Sequence, residues 1–197
     1  EIVTGFFKAL PSRKPTIILY GSQDSPSLGG FAGPMPMRIG LVAPGSQISS
    51  AKTLVVHEYT HYLQSERGDS GGYGALVRLF NPSLGNFMGC TLSEISIEGT
   101  TSFLDGSRRR EFSMLPVRAA VLEGRMWTRS QASSGGLTHP GALRVYLSGL
   151  LFQDWVYDRL GPSGYFDILE RKNRYFLSYE DLVVKEYTGL DLVKIWG

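Results

Sequence analysis

The chain has 197 residues, near the length of one domain. Twenty Lys and Arg against eighteen Asp and Glu leave a net charge of +2, and 19% of residues are charged, below the roughly 25% of an average soluble domain. That balance excludes a polybasic nucleic-acid binder and an acidic disordered chain, so no nucleic acid is expected as a partner. Hydrophobic residues make up 42%, with ten Phe, ten Tyr and three Trp, ample for a buried core. No apolar run approaches the roughly 18 residues of a membrane-spanning helix.

In chain order, Thr16–Tyr20 is a β-branched run ending at Gly21 and reads as a strand. Residues 21–36, rich in Gly, Pro and Ser, read as an irregular loop. Met37–Val42 alternates as a second strand, in which Gly40 suits close approach by another backbone. From Ser50 the apolar period lengthens: Val55, Tyr59, Tyr62 and Leu63 follow helical spacing up to Gly68. Further helices are expected over 92–104, closed by Asp105-Gly106, and over 112–129. A long one runs from Pro140 to Leu160, followed by 162–176 and 179–187. The expectation is an α+β domain spanning 1–197, sheet-rich over 1–48 and helical over 49–197.

One segment carries chemistry. His57-Glu58-Tyr59-Thr60-His61 is an HExxH sequence in the middle of an expected helix. At 3.6 residues per turn, His57 and His61 share a face, and their imidazoles can converge on one zinc ion. Glu58 lies about 100° round the helix, beside the metal, where it can take a proton from a zinc-bound water. Two of the chain's three histidines lie in this segment. A metzincin continuation fails, because Gln64 and Arg67 occupy its Gly and last His positions. An aspartate-ligated signature fails at Phe103. That leaves a glutamate from the next helix as third ligand, either Glu94 or Glu98, one turn apart.

HExxHxxQ, with Ile97-Glu98-Gly99 about 40 residues on, resembles the gluzincin metallopeptidases, and within them the small M1- and M61-like peptidase domains. Glu98-Gly99-Thr100-Thr101-Ser102-Phe103 is similar to their EGxx(x)[YF] pattern, and the resemblance implies Glu98 as the third zinc ligand. Ser96 and Ile97 depart from the Trp or Asn that often precedes this Glu, so Glu94 stays open. It is otherwise the candidate for orienting a ligand imidazole. Tyr146-Leu147-Ser148-Gly149 is similar to the family's Y-x-x-G helix, which implies Tyr146 as hydrogen-bond donor to the oxyanion. His139, beside Pro140, is the alternative donor.

The resemblance implies a thermolysin-like zincin architecture, with a small N-terminal sheet packed on a mainly helical half. It implies a zinc metallopeptidase with His57, His61 and Glu98 on the metal and Glu58 as general base. A peptide or protein substrate would lie against the edge of strand Met37–Val42. Aminopeptidase relatives anchor the substrate's amine with a Glu on the strand before the zinc helix. No acidic residue occurs here between Asp24 and Glu58, which points to an endopeptidase. The alternatives are a zinc-containing, non-catalytic peptide-binding or scaffold domain, and the catalytic core of a larger protein. Cys90, as lone cysteine, excludes an internal disulfide and reads as a small core residue. The start at Glu1 reads as a processed or trimmed chain, and an extracytoplasmic location, secreted or membrane-tethered, is the expectation. Arg108-Arg109-Arg110 reads as a solvated loop.

Overall fold

The structure, a computed structural model, describes residues 2–8, 10–11, 14–20, 30–34, 37–42, 48–68, 92–106, 114–133, 141, 143–173 and 180–196. His139, Pro140, Cys90 and Arg108–Arg110 lie outside these residues, as do the readings placed on them. The described chain is mostly helical with one small sheet, α+β as the order of strand-like and helical segments led one to expect.

The N-terminal part departs from the expected strands and loops by opening with a short helix, α1 (Ile2–Phe6). Its Val3, together with Phe7 just beyond, is buried in the main core. The two expected strands form as β1 (Thr16–Tyr20) and β3 (Met37–Val42). Between them lies a strand that the Gly- and Pro-rich composition concealed, β2 (Gly30–Pro34). Strand order is β1-β3-β2, with β1 parallel and β2 antiparallel to β3. Gly40 pairs with Ile18 on one side and Phe31 on the other. β3 is therefore the central strand, and the expectation that a peptide pairs with its edge is wrong: both its edges are taken. Pro34 is tolerated because an edge strand need not donate along its whole length. Ile39 and Leu41 of β3 are buried, and β2 and β3 both pack on the next helix.

That helix is α2 (Ile48–Gly68), which starts two residues before the expected Ser50 and stops at Gly68 as expected. Tyr62 and Leu63 are its core anchors. α3 (Glu94–Leu104) is capped by Ser93, whose Oγ accepts from the Ser96 N–H, and closes at Asp105 with Gly106 at φ +89°. The helix expected over 112–129 is two: α4 (Leu115–Leu122) and α5 (Arg129–Ala132). Gly124 at φ +63° ends the first, and Thr128 starts the second with a capping box to Gln131. α6 (Leu143–Leu160) ends before Gly161 at φ +79°. α7 (Gly164–Asn173), α8 (Glu180–Thr188) and α9 (Leu192–Trp196) complete the chain, α9 being a helix that the spacing did not suggest. No described helix is long and apolar enough to cross a membrane.

Among the described residues, α3 and α6 pack backbone against backbone. A Cβ placed on Gly99 would lie 2.3 Å from the Gly149 carbonyl oxygen, and one on Gly149 would lie 2.4 Å from the Ile95 carbonyl oxygen. The two backbones are in direct contact, so neither site has room for a side chain. The glycine after Glu98 thus serves the close approach of α3 to α6. At the N-terminal end of α3, buried Glu180 from α8 accepts from the Ser93 N–H and the Ser96 hydroxyl. Burial raises its carboxyl above the ordinary range, against the pull of these two donors.

Gly149→Ala should cost about 3 kcal/mol or more, since backbone atoms cannot give way as side chains do. For a chain of this size that lowers Tm by roughly 6–12 °C. The measurement is a thermal melt followed by circular dichroism. Gly5→Ala, where a Cβ would meet nothing within 4 Å, should not lower Tm and serves as the control.

Candidate metal centre

The site is built on two helices. On α2, His57 and His61 are one turn apart with ring centroids separated by 4.9 Å at an interplanar angle of 80°. α3 brings Glu98 against both. Its Oε2 lies 3.3 Å from His57 Nε2 and 3.4 Å from His61 Nε2. These three ligand-type atoms form one convergent group.

The separations decide what kind of contact this is. A charge-assisted N–H···O⁻ bond to a carboxylate would be about 2.7–2.9 Å. Glu98 Oε2 is buried and has no hydrogen-bond partner at bonding geometry among the described residues. Donors at about 2.0–2.2 Å from a shared tetrahedral ion stand about 3.3–3.6 Å apart. Both observed separations fall in that interval. The donor set, two imidazoles and one carboxylate, also suits zinc rather than magnesium or calcium, which prefer all-oxygen sites. The residues fit the group.

Each imidazole has its other nitrogen engaged. His57 Nδ1–H donates to Asp105 Oδ2 at 3.0 Å, and His61 Nδ1–H donates to Gln64 Oε1 at 3.1 Å. A carboxylate can only accept, so Asp105 holds a proton on His57 Nδ1 and Nε2 is the nitrogen left to give its lone pair to a metal once the imidazole is neutral. Burial opposes a charge on His57, but Asp105 and Glu98 outweigh it and push its pKa up to about 9. For Glu98, burial works upward and the two facing imidazoles pull harder, bringing it to about 2. The site is thus strongly biased toward an ionised carboxylate facing a positive charge.

Glu58 is 5% exposed, and burial raises its carboxyl, with the histidines pulling it back in part. Tyr146, from the first turn of α6, is 36% exposed with its ring 6.0 Å from that of His57. Burial, then the negative charges of Glu98, Glu58 and Glu94, push its phenol up to about 12, so it remains a proton donor at neutral pH. The structure therefore gathers His57, Glu58, His61, Glu98 and Tyr146.

Glu94 is exposed and is not one of the convergent group among the described residues. Its expected role in orienting an imidazole is filled by Asp105 for His57 and Gln64 for His61. Sequence reasoning missed both. Asp105 stands seven residues after Glu98, almost two full helical turns, and so returns to the same face. Gln64 is three residues after His61, a standard helical neighbour spacing.

No family model matches the chain, and neither curated proteins nor solved structures show a significant similarity to it. Removing the partner of a metal-binding imidazole typically costs 10–100-fold in metal affinity. Asp105→Ala should weaken zinc binding by about that factor, measured by competition with a chromophoric chelator, while α3 stays helical by circular dichroism.

Proposed function

We propose that the protein is a zinc-dependent peptidase of the gluzincin type, with His57, His61 and Glu98 holding the metal. The observation that carries the reading is the pair of 3.3 and 3.4 Å separations from Glu98 Oε2 to the two imidazole nitrogens. The succession of small sheet, histidine helix and glutamate helix accords with a thermolysin-like zincin architecture, which belongs to the same proposal. Zinc, when bound, supplies Lewis acidity that polarises a substrate carbonyl and makes water a nucleophile near neutral pH.

The chain's own residues supply the rest. Glu58, beside the ligands and mostly buried, takes a proton from the attacking water on its carboxylate and passes it to the leaving amine nitrogen. Its raised pKa favours that two-way exchange. Tyr146 donates its phenolic hydrogen to the oxygen that gains negative charge. Asp105 and Gln64 hold the imidazole protons away from the metal side.

The substrate strand would lie along the edge of β2 that is unpaired among the described residues, since β3 is paired on both sides and β2 packs against α2. Main-chain hydrogen bonds along Gly30–Pro34 would hold a peptide extended across the site. Neither β2 nor β3 carries an acidic residue to grip a free amine, which favours internal cleavage.

Glu58→Gln should keep zinc and reduce hydrolysis of an unstructured protein substrate to background, because the amide keeps the shape and cannot take a proton. Tyr146→Phe should lower turnover by about 10²–10³ with metal content unchanged. Metal analysis alongside a cleavage assay read by mass spectrometry checks both. Full activity in Glu58→Gln would remove the peptidase assignment.

A further inference from the structure

We propose that Gln64 is a positioning residue that couples His61 to Glu98 through the two ends of one amide. This rests on the metal-site reading above. Gln64 is buried on α2, and its Oε1 accepts from His61 Nδ1. Its Nε2 reaches across to α3 and donates to the carbonyl of Ile97 at 3.1 Å, the residue bonded directly to Glu98. One planar group therefore spans from one ligand's imidazole to the backbone that carries another.

The amide has only one workable orientation. Reversed, it would set its oxygen against the Ile97 carbonyl, two acceptors facing each other with no proton between them. The Ile97 carbonyl thus fixes the NH₂ end, and Oε1 is left for His61. That in turn fixes the imidazole proton on Nδ1 and frees Nε2. Tyr165 strengthens the lock: its hydroxyl oxygen accepts from Gln64 Nε2 at 3.2 Å, and it is hydrogen-bonded to Thr100. Thr100 gives its own proton to the Ser96 carbonyl at 2.7 Å and accepts from Gln153 Nε2 at 2.8 Å. The Thr100 proton is thus committed, so Tyr165 donates to Thr100 and can only accept from Gln64. α2, α3, α6 and α7 meet in this buried network, and its end at the metal site is the His61 imidazole.

Gln64→Met keeps the length and volume and removes every polar bond. It should weaken zinc affinity by about 10–100-fold, measured by chelator competition on the full chain. It should also alter the visible absorption of the cobalt(II)-substituted protein, which reports ligand geometry. Tyr165→Phe removes the support behind the amide but neither bond to His61 nor to Ile97. It should lower Tm while changing zinc affinity by less than about threefold, against the 10–100-fold of a lost ligand partner. If Gln64→Met does not fold, Gln64→Asn, polar but one methylene too short to span both partners, carries the same test. Zinc affinity and cobalt spectrum unchanged in the Gln64 variant overturn the proposal. So does a Tyr165→Phe protein that loses zinc affinity as severely, because the effect would then be general loosening. A wild-type chain that binds no zinc removes the metal-site reading itself, whereas wild-type loading with equal loading of Gln64→Met removes only this inference.

Discussion

The arrangement of the site depends on the bare backbone contact between Gly99 and Gly149. Two helices without side chains at the crossing can approach until carbonyl oxygens meet Cα atoms. Each glycine has a side chain of the candidate site nearby: Glu98 is the neighbour of Gly99, and Tyr146 is one turn before Gly149. A single packing constraint therefore sets both groups in register beside α2. A residue with a Cβ at either position would push α3 and α6 apart and displace Glu98 and Tyr146 relative to the histidines.

Electrostatics then sets protonation. Glu58, Glu98 and Asp105 put three carboxyl groups around two imidazoles, an excess of negative charge that suits a divalent cation. Partly buried surroundings strengthen every one of these interactions. The far nitrogen of each imidazole is bound to an acceptor, which leaves both Nε2 atoms directed at Glu98 Oε2. Such preorganisation would lower the cost of assembling these side chains around an ion. It depends on residues outside the HExxH segment, one from the same helix and one from the end of the next.

The parts readable from sequence were those governed by local periodicity. The helical spacing of Val55, Tyr59 and Tyr62 located α2, and Asp105-Gly106 and Gly161 located helix ends, because caps and positive-φ glycines are local devices. β2 escaped notice because its stability comes from pairing with β3, not from β-forming residues in Gly30–Pro34. The division of α4 from α5 turned on Gly124 adopting φ +63° where glycine can equally continue a helix. The pairing of Gly99 with Gly149 depends on a tertiary crossing that one-dimensional spacing does not encode. The same holds for Asp105, which meets His57 only through the packing of α2 against α3, whereas Gln64 reaches His61 within α2 and needs that packing only for its bond to Ile97.

The central claim is that His57, His61 and Glu98 hold one zinc ion. X-ray absorption at the zinc edge of the purified, zinc-loaded chain, with metal stoichiometry, tests it most directly. The account predicts one zinc per chain, with two nitrogen ligands at about 2.0–2.1 Å and carboxylate oxygen at about 2.0–2.2 Å, and loss of the metal in His57→Ala and in His61→Ala. A chain that takes up no zinc, or histidine variants that keep one ion each, would contradict it.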